Sequence, residues 1–64
     1  MILQNIKRRC IEKNITIAEL ERKAGVGNGV VARWATMRPR VDLLKKVADF
    51  LGCTVDDLLK EDSA

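Results

Sequence analysis

Thr16-Ile17-Ala18-Glu19-Leu20-Glu21-Arg22-Lys23-Ala24-Gly25-Val26-Gly27-Asn28-Gly29-Val30-Val31-Ala32-Arg33-Trp34-Ala35-Thr36 is the stretch that decides the fold. It opens on a reciprocal cap: the Thr16 hydroxyl is spaced to accept the amide of Glu19, while the Glu19 carboxylate reaches back to the amide of Thr16. Ile15 before the cap and Leu20 after it are spaced as the matching hydrophobic staple, which sets the angle of entry. Gly25 stops this helix, because glycine takes the left-handed conformation that follows a last turn without a steric penalty. Another helix is predicted from about Asn28 to Ala35, with Val31 and Trp34 on one face and Asn28, Gly29, Ala32, Arg33 and Thr36 on the other. The connection Ala24-Gly25-Val26-Gly27 is too short for antiparallel packing, so the two helices are expected to cross steeply, turning Leu20, Ala24, Val26, Val31 and Trp34 inward.

Outward from this pair every apolar run keeps helical spacing, and no run alternates with period two over a useful length. The expected fold class is therefore all-α, with five short helices and the steep pair as helices two and three. Helix one covers about Ile2 to Lys13, burying Ile2, Ile6 and Cys10 and leaving Lys7, Arg8 and Glu12 in solvent. Pro39 separates helix three from helix four, Val41 to Leu51, whose buried stripe is Leu44, Val47, Ala48 and Leu51. Gly52 closes helix four. Thr54 and Asp57 then repeat the reciprocal cap, with Cys53 and Leu58 as staple, so Val55 to about Lys60 is helix five and Glu61 to Ala64 is expected to fray. No repeat, low-complexity segment or linker interrupts the chain.

A chain of 64 residues is expected to be a single domain, residues 1–64, with one small core. Domains of this size bury only roughly 60% of the surface that their unfolded chain exposes, so subunit contacts are a natural supplement. The two cysteines, Cys10 and Cys53, lie inside apolar patterns and read as reduced core thiols; with no histidine present, neither a metal site nor any other cofactor is expected. Met1 to Arg9 is interrupted by Gln4, Asn5 and Lys7, unlike a signal peptide or a membrane span, which points to a cytoplasmic protein. Charge is asymmetric: residues 1–40 carry nine Lys or Arg against three Glu, residues 41–64 three against six acidic residues, for a net +3. A basic face for a polyanion and a separate acidic end would follow.

A helix held proud of a basic domain by the helix behind it fits the major groove of double-stranded DNA. The segments Thr16 to Leu20, Gly25-Val26, Val31, Trp34 and Leu44 to Cys53, with the ending Ala48-Asp49-Phe50-Leu51-Gly52-Cys53-Thr54-Val55-Asp56-Asp57-Leu58-Leu59, resemble the Cro and phage-repressor type of helix-turn-helix family. The resemblance implies a lambda-repressor-like fold and a DNA-binding regulator of transcription, acting as a repressor. Two departures stand out. Glu21 occupies a position where the wider family has a small residue, and the family's arginine–glutamate pair is replaced by Cys10 and Ala35. Losing both members of a buried pair avoids stranding one charge, which would cost roughly 3 to 5 kcal/mol.

The reading face is sparse. Asn28 is suited to adenine and Arg33 to guanine, Gly29 lets the backbone approach, and Val30 suits a thymine methyl. Phosphate contacts are expected from Thr16, Lys23, Gly27, Thr36, Arg38 and Arg40, together with the helix-three amides near Asn28, and Pro39 stiffens the loop that carries the last two arginines. Blander readings compete at several positions. Asn28-Gly29 is also an ordinary turn, Arg33 an ordinary solvated charge, Trp34 core rather than a stacking platform, and Lys7, Arg8 and Arg9 a face turned away from DNA. A homodimer is expected, through apolar residues such as Phe50, Leu58 or Leu59. The rival reading is a protein-interaction module, antitoxin- or antirepressor-like, on the same scaffold. No small-molecule site is evident, and an enzyme is disfavoured because no nucleophile stands beside a base.

Overall fold

Four left-handed residues punctuate the described chain, and the three that follow a helix end each turn the next apolar residue onto the core. Residues 2–60 are described by the computed structural model. They form α1 (Ile2–Glu12), α2 (Ile17–Ala24), α3 (Val30–Arg33), α4 (Val41–Leu51) and α5 (Val55–Lys60), with no strand among the described residues. Asn14, Gly25 and Gly52 have φ of 59°, 80° and 75°, and the amides of Ile15, Val26 and Cys53 reach back to the carbonyls of Cys10, Glu21 and Ala48 at 3.0 Å each. These are the wide closing bonds that satisfy carbonyls left open at a helix end. Ile15 and Cys53 have a second duty, since each stands immediately before a capping threonine and staples the helix that follows.

Both reciprocal caps form. The Thr16 amide donates to Glu19 Oε1 at 3.0 Å and the Glu19 amide to Thr16 Oγ1 at 3.1 Å; Thr54 and Asp57 make the same pair at 3.1 and 3.0 Å. Replacing Thr16 by Ala removes a cap on the surface without touching the core, so it is expected to lower stability by about 1 kcal/mol. A thermal melt should then show a midpoint roughly 4 to 8 °C lower.

Ile6, Cys10, Leu20, Val26, Val31, Trp34, Leu44, Val47, Ala48, Leu51 and Leu58 form the core. Helix α2 lies against α4 and α3, and α5 closes the bundle onto α1 and α4. That closure has a polar lock. Asn5 is buried, its Nδ2 donates to the carbonyls of Leu58 at 2.8 Å and Asp57 at 3.4 Å, and its Oδ1 accepts from Arg9 Nε at 3.1 Å. Both cysteines are free, and burial pushes the thiols of Cys10 and Cys53 up, which keeps them protonated and inert.

The structure corrects three expectations. Helix one ends at Glu12 rather than Lys13, because Asn14 takes the left-handed conformation and the chain turns there. Helix three is regular only over Val30–Arg33 rather than Asn28 to Ala35. Gly29, at φ 83°, precedes it as cap, and beyond it the amides of Trp34, Ala35 and Thr36 bond three residues back, a tighter winding than an α-helix. Leu58 is fully buried and unavailable to a partner, and Phe50 is half-buried against the core, whereas Leu59 is 49% exposed. The frayed tail expected at Glu61 to Ala64 lies outside the described residues. No helix among the described residues is long and apolar enough to cross a membrane.

Candidate nucleic-acid interface

The interface begins at the Gly27–Gly29 turn. The Val30 amide donates to the Gly27 carbonyl at 3.1 Å, closing a turn that only a residue tolerant of positive φ can finish, and Gly29 supplies it. A side chain at Gly27 would meet Val30 Cγ2 at 3.0 Å, so this glycine also lets Val30 lie down beside the turn.

Helix α3 has no side-chain cap of its own. One arrives from the helix behind. Glu21, only 3% exposed, accepts the amide of Gly29 on Oε1 and the amide of Val31 on Oε2, both at 2.9 Å. A carboxylate on the first amides of a helix satisfies groups that would otherwise be orphaned and complements the positive end of the helix dipole. The large acidic side chain at the close approach of α2 and α3 is thus a connector between them. It also narrows the expected anion site. The amides of Gly29, Val30 and Val31 all donate within the chain, leaving those of Gly27 and Asn28 at the start of α3.

The expected contact residues fall into groups. Val30, Arg33, Arg38 and Arg40 line one open groove together with Trp34, Met37 and Leu43, so three guanidinium groups surround an apolar floor on the α4 side of α3. Asn28 lies on the α2 side, in a separate hollow with Ala18, Glu21, Arg22, Gly25 and Val26. The two residues matched to bases therefore flank α3 rather than share a pocket. Thr16 is exposed at the start of α2 with its hydroxyl committed to the cap, and Thr36 is exposed just beyond α3. Lys23 stands apart, lining the seam between α2 and α4 with Ala24, Lys46, Asp49 and Phe50.

Arg40 Nη2 approaches Asp42 Oδ2 at 3.3 Å, with both side chains mostly exposed. Such a surface pair is worth at most about 1 kcal/mol, so Arg40 is free to exchange it for a stronger anion. Lys7 and Arg8 are exposed on α1, and Arg9 is turned onto Asn5. Sequence reasoning missed Glu21 and Arg22 at this surface. For Glu21 the signal was present, an acidic residue where two helices meet, but the amides that donate to it lie eight and ten residues ahead.

No group of three or more residues able to hold a metal ion occurs among the described residues. No curated protein and no solved structure matches the chain significantly. Residues 5–61, however, match the Cro/C1-type HTH DNA-binding domain, a non-enzymatic family. With that match spanning nearly all of the sequence, the chain belongs to the Cro/C1-type helix-turn-helix DNA-binding domain family.

Proposed function

We propose that this chain is a sequence-specific regulator of transcription, acting as a repressor, that lays α3 in the major groove of double-stranded DNA. The observation that carries this reading is the convergence of Arg33, Arg38 and Arg40 on one open groove beside the start of α3. Arg33 pairs with guanine and Asn28 with adenine on opposite flanks of the helix, while Gly29 and Val30 keep the backbone and one methyl-bearing side chain close to the bases. Arg38, Arg40, Lys23, Thr16, Thr36 and the amide of Gly27 serve the phosphates. The chain works as a single domain in the cytoplasm and as a homodimer on DNA, its two α3 helices about one helical turn apart, with the exposed Leu59 at the subunit contact.

Titrating pooled genomic duplexes at several salt concentrations tests this reading. Affinity is expected to fall steeply as salt rises, in proportion to the number of neutralised phosphates. Arg33→Ala should relax preference at one base position by about 1 to 3 kcal/mol, whereas Arg38→Ala should weaken all sequences alike and reduce the salt slope by about 1. No binding even at low salt would sink the reading and leave a protein-interaction module.

A further inference from the structure

Glu21 joins the two helices of the motif by a pair of side-chain hydrogen bonds. Its two oxygens take the amides of Gly29 and Val31, which bracket Val30, so their spacing sets the pitch of the first turn of α3. The clamp is itself held: Leu20 beside it is fully buried, and the Glu21 carbonyl accepts the Val26 amide at 3.0 Å. Because α3 is only four residues long and lacks a cap of its own, its start is held by this clamp together with the burial of Val31 in the core.

We propose that Glu21 is the positioning residue that sets sequence discrimination at this interface, acting from behind α3 as an internal anion that fixes the register of Asn28 to Arg33. This rests on the regulator reading above. Direct base readout tolerates little displacement, because a bidentate pair loses its geometry within a fraction of a hydrogen-bond length. Phosphate contacts through long arginine side chains tolerate far more. The same carboxylate places a negative charge beneath the start of α3, where it opposes a phosphate. Its removal therefore acts with opposite signs: base discrimination falls, while sequence-independent binding is unchanged or tighter. Loss of folded protein would instead lower both together.

The test compares the wild-type chain with Glu21→Gln, which is isosteric but has only one acceptor atom, so one of the two amides meets an N–H group. Two quantities are read. One is amide hydrogen exchange in the free protein. The other is the ratio of affinity for a duplex selected by the wild type from a random pool to affinity for the unselected pool. Exchange at whichever of Gly29 and Val31 meets the N–H group is expected to quicken at least about tenfold while Leu20 and Val47 change little, as follows from losing one buried hydrogen bond. The affinity ratio is expected to fall about tenfold, the loss of one base contact, with affinity for the pool no weaker. Unchanged exchange at both amides, an unchanged ratio, or a parallel loss of both affinities would overturn the proposal. A Glu21→Gln chain that does not fold would overturn it too, by making Glu21 a determinant of the fold rather than of reading. Failure of the regulator reading shows separately, as a wild-type protein that enriches no duplex from the pool.

Discussion

Leu20→Ala is expected to leave a chain that is largely unfolded at physiological temperature. Leu20 is fully buried on α2, the helix that packs against both α3 and α4, so its truncation opens a cavity in the core. Removing a buried leucine costs about 2 to 5 kcal/mol, through lost transfer energy and the cavity left behind. A domain of this length has only about 3 to 10 kcal/mol in total at the usual stability per residue. Circular dichroism and urea titration check the outcome. A midpoint within measurement error of the wild type would mean that the α2–α4 contact is not where stability resides.

The second large effect is on binding. Replacing Arg33, Arg38 and Arg40 together by Ala is expected to reduce affinity for a selected duplex by about three orders of magnitude at ~0.1 M salt, combining two lost phosphate contacts with one lost base contact. The salt slope should shrink by about 2 at the same time. Stability should hardly move, since all three side chains are exposed and the ion pair of Arg40 with Asp42 lies at the surface. Fluorescence anisotropy across salt concentrations, beside a thermal melt, separates the two effects. Retained affinity would place the DNA surface elsewhere on the molecule.

What could be read from sequence divides along a physical line. Interactions within about five residues were legible: the two reciprocal caps, the staples at Ile15 and Cys53, and the helical stripes that bury Ile6, Leu20, Val47 and Leu51. Interactions that depend on where two elements meet were not. Asn5 reads as a polar interruption of an apolar face, yet it bonds carbonyls 52 and 53 residues away. Glu21 reads as an oversized residue at a close approach, yet the approach is made through it. Leu58 has the spacing of a staple and also the look of a surface residue for a partner, and only the docking of α5 onto α1 decides that it is core. At the interface, the residue types were legible and their partition was not, because the turn at Gly29 determines that Asn28 and Arg33 flank the helix instead of lining one pocket.

The clamp on the start of α3 also bears on how such a surface changes over generations. Capping usually obliges a helix to keep a serine, threonine, asparagine or aspartate at its first position, which restricts what that position can do for a ligand. Here the obligation has been moved to Glu21 on the neighbouring helix, and Asn28, Ala32, Arg33 and Thr36 make no side-chain hydrogen bond on which the fold depends. Those outward positions are therefore free to drift. On the proposed reading surface, new binding preferences can arise at Asn28, Ala32 and Arg33 by single substitutions, without compensating changes in the scaffold, and a library confined to these positions is the economical place to retarget the protein.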